Sequence, residues 1–217
     1  MLETVEKIAG RIPTRAELTR ERILEAAEVV FAKHGLNGTR IREIAQTAGV
    51  NNATIYSYFP SKNDLHEAVL ERGMRPLLDL MVEFSTRPND MEAAGRLLRG
   101  AMKHLSERPN LSRLIYLEII SEGGYLAELS SRWLRPLLDP GLAQLRKGTE
   151  STPWGGNLAP LIVTTFVQLT FGHFALAPLF REVIDADPTS EEWVTHQTRF
   201  MLALLEQMFP DRMEGVE

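Results

Sequence analysis

Cysteine is absent from the 217 residues, which excludes disulfides, thiolate metal sites, iron–sulfur clusters and a cysteine nucleophile, and leaves no mark of redox compartment. Excess positive charge is absent too: 24 Lys and Arg stand against 29 Asp and Glu, a formal net charge of −5. Taken over the whole chain, that balance opposes a broad contact with nucleic acid or an anionic membrane, since both attract surplus cations. The histidines, His34, His66, His104, His173 and His196, contain no pair at metal-ligating helical spacing, so no metal site is expected. A Gly-rich phosphate loop, a nucleophile elbow and a paired-carboxylate motif are also missing. No catalytic residue and no cofactor are therefore expected. An all-α enzyme with His104, Glu118 and His173 as acid–base groups stands as an alternative without a motif to support it. The segment up to Arg22 mixes acids with bases and has neither the apolar stretch nor the cleavage site of a secretory signal. A cytoplasmic protein is the expectation.

What is present is ordinary for a globular chain, at 44% hydrophobic and 24% charged residues, and excludes disorder, collagen and a coiled-coil rod. Between Glu150 and Arg181 no side chain carries a formal charge. Leu158 to Phe180 would reach across a bilayer, which takes about 20 residues. The segment also holds Thr164, Thr165, Gln168, Thr170 and His173, with Pro160 and Pro178 near its ends. A helix apolar nearly all round is equally suited to burial in protein. No membrane contact is expected, and a single-span membrane protein carrying a helix-turn-helix is kept as an alternative.

Apolar spacing reads as helix almost throughout. Thr14 with Glu17 forms a capping-box pattern, after which Ile23, Ala27, Val30 and Phe31 fall on one helical face and Gly35 is placed to end the helix. Thr39 is a capping candidate for a short helix bearing Ile41, Ile44, Ala45 and Ala48. Gly49 turns the chain, and Asn51 caps a second short helix with Ile55 and Phe59 inward. Pro60 stops it, and Ser61 with Asp64 opens a fourth helix carrying Leu65, Val69 and Leu70. Two short helices about a glycine turn form a helix-turn-helix pattern, spanning about 40–59. The same spacing also fits a tight helical hairpin in an all-α domain.

The make-up of the second short helix favours the first reading. Asn51, Asn52, Ala53, Thr54, Tyr56, Ser57 and Tyr58 replace the Glu, Lys and Arg of a solvated face. Asn can read adenine in the major groove, Ala and Thr can touch a thymine methyl, and Tyr and Ser hydroxyls can bond phosphate oxygens. From Val29 to Lys62 the bases Lys33, Arg40, Arg42 and Lys62 face one acid, Glu43, a net of +3. Lys62 lies in the first turn of its helix, the end that usually prefers an acid, which suggests an anion outside.

From TRERILEAAEVVFAKHG through TRIREIAQTAGVNNATIYSYFPSKNDL, roughly Leu18 to Arg72, the chain resembles the TetR family of bacterial transcriptional regulators. The resemblance implies an all-α fold, with an amino-terminal three-helix helix-turn-helix DNA-binding domain (18–72, after an extension at 1–17) and a larger helical ligand-binding and dimerisation domain (73–217). It implies DNA contacts from Thr39, Arg40, Arg42, Asn51, Asn52, Ala53, Thr54, Tyr56, Ser57, Tyr58 and Lys62. Of these, Thr39 caps the motif's first helix and bonds phosphate, while Tyr56 and Lys62 grip phosphate. Arg42 reaches a base edge or phosphate, and Asn51 to Thr54 start the recognition helix. Tyr58 serves either as a phosphate contact or as packing at the motif's edge. Ser57 departs from the larger side chain common in the family, and Pro60 from a more usual polar residue. Lys7, Arg11 and Arg15 could lie along a minor groove, but Glu3, Glu6 and Glu17 offset them, and a solvated terminus is the preferred reading.

Residues 65–217 carry a net charge of −6 and read as helices at Met91–Glu107, Ser112–Glu122, Leu126–Lys147, Asn157–Arg181 and Ser190–Phe209. Pro88, Pro109, Gly123 with Gly124, Pro153 to Gly156, and Pro188 separate them. The resemblance implies a homodimer through the last two helices, where the uncharged segment would meet a stripe of Trp193, Phe200, Leu204 and Met208. It also implies a double-stranded DNA operator and a small-molecule effector of unknown identity. Pocket candidates, which mix apolar area with polar handles, are Tyr116, Trp133, Phe166, Gln168, Thr170, His173 and Phe174. His173 reads first as a satisfied core histidine. The expected function is a ligand-responsive regulator, a repressor that leaves its palindromic operator when the effector binds.

Overall fold

The computed structural model describes residues 13–87, 90–120, 126–149 and 158–208. Among them there is no strand, and the chain is all-α. Calls on Lys7 and Arg11, Pro88, Gly123 with Gly124, and Pro153 to Gly156 lie outside the described residues. Two compact units divide the chain, Met1–Val69 and Leu70–Glu217.

The first unit opens with α1 (Arg15–Gly38), whose amino terminus is closed as its sequence suggests. Thr14 Oγ1 accepts from the Glu17 N–H, and the Glu17 carboxylate accepts from the Thr14 N–H at 2.7 Å. Ile23, Ala27, Val30 and Phe31 are all buried. The helix does not end at Gly35. It kinks there, with φ 67° and ψ 175°, and resumes to Gly38. Only glycine takes that backbone conformation without steric cost, so the residue expected to stop the helix instead redirects it.

Next come α2 (Ile41–Ala48), α3 (Asn52–Tyr58) and the start of α4 (Lys62–Ser85). Helices of eight and seven residues are too short to persist alone. Burial holds them: Ile44 and Ile55 are fully buried, Ala45 and Phe59 nearly so, and a fully buried side chain of the Ile class contributes about 1.5–3 kcal/mol. Between them Gly49 adopts the left-handed conformation (φ 66°, ψ 36°), and the Val50 N–H reaches back to the Ala45 carbonyl at 2.9 Å. Asn51 caps α3 through its side-chain oxygen. Ser61 and Asp64 close the start of α4, where Ser61 Oγ accepts from the Asp64 N–H and donates to its carboxylate at 2.7 Å.

One cap is displaced. Arg40, not Thr39, occupies the position before α2, and it makes no side-chain cap bond. The kink frees the Gly35 carbonyl from regular helical bonding, and the Thr39 hydroxyl donates to it at 2.7 Å. Thr39 is therefore buried, at 3% exposure.

In the second unit α5 (Met91–Glu107) has the limits expected from its spacing, with Asp90 accepting from the Ala93 N–H at its start. Helix α6 runs Pro109–Ile120, three residues earlier than expected, because proline is tolerated in a first helical turn and need not precede it. The stretch expected at Leu126–Lys147 contains α7 (Leu126–Leu129), a π-helical turn at Ser130–Leu134, and α8 (Arg135–Thr149). The single helix expected at Asn157–Arg181 is subdivided into α9 (Leu158–Val167), a second π turn at Gln168–Gly172, α10 (His173–Ala175) and α11 (Ala177–Ile184). The break falls at Leu176 (φ −94°, ψ 3°), with Pro178 in the first turn that follows. Proline has no N–H to continue the ladder. The last helix, α12 (Glu191–Met208), packs against α5; α8 packs on α9, and α10 on α6.

Candidate nucleic-acid interface

Helix α3 presents a polar, uncharged surface. Asn51, Asn52, Ala53, Tyr56 and Ser57 are exposed, Thr54 and Tyr58 half-buried, and Ile55 points into the core. Tyr56 is 51% exposed. On α2, Arg42 is exposed, with Gln46 one turn further along, and Arg40 is exposed just before the helix. Gln46 escaped the sequence reading, although the i,i+4 spacing from Arg42 places the two on one face.

Hydrogen bonding sorts these side chains into those with capacity to spare and those already committed. The Asn51 carbonyl oxygen accepts from both the Thr54 N–H at 2.7 Å and the Thr54 hydroxyl at 3.0 Å. Two bonds fill its acceptor capacity. Reading adenine bidentately needs that same oxygen, so the geometry makes Asn51 a cap. Asn52 is exposed and makes no side-chain hydrogen bond among the described residues. The Ser57 hydroxyl donates to the Thr54 carbonyl at 2.7 Å, which leaves it able only to accept from outside.

Thr39 departs from its expected role, since its hydroxyl is turned inward onto Gly35. Its carbonyl instead accepts from Lys62 Nζ at 3.1 Å. The first-turn lysine, read as a sign of an external anion, thus has an internal acceptor as well. An ammonium has three donors, and the remaining ones can still point outward.

Glu43, the single acid of this segment, is also engaged. Its carboxylate lies 3.0 Å from His34 Nε2, across the kink at Gly35. This pair was not legible from spacing, because the kink sets the approach. On the other side of the motif the Arg20 guanidinium sits 5.3 Å from the centre of the Phe59 ring, placing a further cation beside the end of α3.

The pocket candidates of the second unit do not converge on one site. Tyr116, Gln168 and His173 line a cavity of about 630 Å³ together with Gly172, Phe180 and Trp193. Phe166 lines a separate apolar cavity of about 120 Å³. Trp133, Thr170 and Phe174 are buried and line neither; the Thr170 hydroxyl donates to the Phe166 carbonyl at 2.7 Å. His173 is the satisfied core histidine that its setting suggested. Nε2 lies 2.6 Å from the Pro188 carbonyl oxygen, and the ring stands edge-on to Phe174. Burial holds its pKa below the ordinary histidine range, with the Pro188 bond opposing that shift. His104 likewise bonds a backbone carbonyl, that of Gly73, at 2.8 Å. Among the described residues no group of three metal-ligating side chains occurs.

The stretch Leu158–Ala175 has the length and mean hydropathy, 1.4, of a membrane span. Its Thr170 and His173 are buried and bonded within the protein.

Residues 23–69 match the family model described as bacterial regulatory proteins, tetR family. The chain is 40% identical over 117 residues to the HTH-type transcriptional repressor SCO4008 of Streptomyces coelicolor, covering 54% of this chain and 56% of that one. It thus spans about half the length of that repressor. The HTH-type transcriptional regulator RutR of Escherichia coli is 28% identical over 161 residues, 74% of each chain. Among solved structures, the transcriptional regulator FadR of Bacillus subtilis, in complex with stearoyl-CoA, superposes with a TM-score of 0.62. The match covers 85% of this chain and 96% of that one at 21% identity, a likeness of fold.

Proposed function

The chain belongs to the tetR family of bacterial regulatory proteins, and from that premise we propose that it is a cytoplasmic, homodimeric repressor that binds a palindromic operator and is released by a small-molecule effector. The family and the curated relatives are transcription regulators rather than enzymes. The observation that carries the reading is the exposed face of α3, where Asn52, Ala53, Tyr56 and Ser57 stand out on a helix fixed from behind by buried Ile55.

Residues 18–72 act in this proposal as the DNA-binding domain and 73–217 as the ligand-binding and dimerisation domain. Asn52, Ala53 and Ser57 meet base edges; Tyr56, Arg40, Arg42 and the spare donors of Lys62 meet phosphates. Thr54 and Asn51 hold the helix start. The dimer supplies two such helices to successive major grooves on one side of the duplex, with half-sites roughly 34–36 Å apart.

Support for the dimer comes from apolar side chains left exposed on the last helices: Leu179 and Val183 on α11, Trp193 and Phe200 on α12. A contiguous apolar face of this kind marks an interaction surface. Gel-shift titration on DNA flanking the protein's own gene tests the reading. A retarded complex that survives nonspecific competitor and disappears as salt rises is expected, whereas no preference for any flanking fragment would count against it.

A further inference from the structure

The second unit holds a cavity of about 120 Å³ whose wall includes Met81, Leu97, Leu98, Leu138, Ile162 and Phe166, and which no charged side chain lines. We propose that it seats an uncharged, apolar group of the effector, a single ring or a short hydrocarbon segment. The proposal rests on the reading of residues 73–217 as an effector domain only in calling the ligand an effector.

Size and chemistry both constrain the occupant. The volume approaches the ~150 Å³ of an engineered apolar cavity that stays dry and takes up benzene. A carboxylate, phosphate or ammonium placed there would lose its water with no partner in return. Several wall residues, Leu97, Leu138 and Phe166 among them, are half-buried, so an apolar guest would remove further apolar surface from water.

A second observation comes from Gly141, which is buried in the middle of α8 and lines the same cavity. A methyl group there would meet only Met81, at 3.6 and 3.7 Å from its sulfur and terminal carbon, an ordinary van der Waals distance. Alanine would favour the helix over glycine and begin to fill a void that costs stability in proportion to its volume. Both effects point to alanine, yet the chain carries glycine. The space is kept open at the expense of the folded state, as a binding site requires and a packing flaw does not.

The test uses the full chain and two probes that share a ring, benzene and benzoate, with binding read from methyl NMR shifts at Leu98 and Ile162. Benzene should bind saturably, and benzoate at least tenfold more weakly. Gly141→Leu should weaken benzene binding tenfold or more, and Gly141→Ala by less. Leu205→Ala, which enlarges the cavity from α12, should take up toluene more tightly than the unaltered chain. Equal binding of benzoate, unchanged benzene binding in Gly141→Leu, or no benzene binding at all would overturn the proposal. So would a change in oligomeric state on Gly141→Leu with benzene inert, which would make the cavity a contact between copies. Operator binding measured on the same samples without probe separates the two readings. Its absence beside intact benzene binding refutes the repressor and leaves the cavity standing.

Discussion

The ammonium of Lys62 donates to the carbonyl oxygen of Thr39 across 3.1 Å, joining the first turn of α4 to the residue that leads into α2. The Thr39 hydroxyl, in turn, bonds the Gly35 carbonyl at the kink of α1. These two residues tie three helices of the DNA-binding unit together, so a substitution at either alters the fold as well as any contact with phosphate.

Lys62→Ala should therefore lower stability by about 1 kcal/mol even without DNA, the scale of one hydrogen bond. Thr39→Val, which keeps the shape but not the hydroxyl, should cost about 1–2 kcal/mol by leaving a part-buried carbonyl unpaired, and Thr39→Ser should recover most of it. Urea denaturation followed by circular dichroism reads both. A Lys62→Ala protein as stable as the unaltered one would reduce that lysine to a surface charge.

Asn51 and Asn52 are adjacent asparagines with opposite assignments. Asn51→Ala should cost about 1 kcal/mol, as the loss of an amino-terminal cap does, while Asn51→Asp keeps the acceptor and the stability. Asn52→Ala should leave stability within about 0.5 kcal/mol, as exposed substitutions usually do, yet reduce discrimination between operator and unrelated DNA. Thermal melts together with anisotropy titrations separate the two; equal loss of stability at both positions would contradict the assignment.

The dimer predicts its own disruption. Val183→Glu and Phe200→Glu place charges on side chains 69% and 54% exposed in the single chain, where they cost little to a monomer. In the dimer each charge would be desolvated. Sedimentation should show monomers, with operator affinity reduced by an order of magnitude or more because the half-sites are no longer engaged together. Dimers that persist in both variants would move the interface elsewhere.

His173 gives a pH dependence whose sign follows from its burial. Burial disfavours the charged ring and lowers its pKa, against the opposing bond to Pro188. No Asp, Glu, Lys or Arg lines the cavity it faces, where the other titratable side chain is Tyr116. Below the ordinary value of about 6.5 the unfolded chain takes up a proton that the folded chain resists. Stability from this residue is thus complete above that value and declines as pH falls toward the lower folded value. In denaturation from pH 7.5 down to 5, His173→Phe should decline less than the unaltered protein. Parallel declines would remove His173 as the source.

The sequence made the helices and the buried face of the first unit legible because apolar spacing and caps act locally: Ile23, Ala27, Phe31, Ile44 and Ile55 all lie in the core. What it hid depends on approach in space. The Gly35 kink turned Thr39 inward and brought His34 to Glu43. A first-turn lysine reads from composition as an invitation to an anion, and only the fold shows Thr39 accepting from it. In the second unit, a mixture of aromatic and polar residues along two helices cannot say which face each side chain takes. Tyr116, Gln168 and His173 came together, while Phe166 went to the other cavity.

The claim that α3 reads DNA is tested most directly by comparing the Kd for an operator-bearing fragment with that for a scrambled fragment of equal length. The comparison is made by fluorescence anisotropy at several salt concentrations, for the unaltered protein and for the double variant Asn52→Ala, Ser57→Ala. The unaltered protein should prefer the operator by a factor of 10³ or more, with both affinities falling as salt rises. The double variant should keep the salt dependence and lose at least tenfold of that preference. An unchanged ratio in the double variant would mean that base recognition lies outside α3.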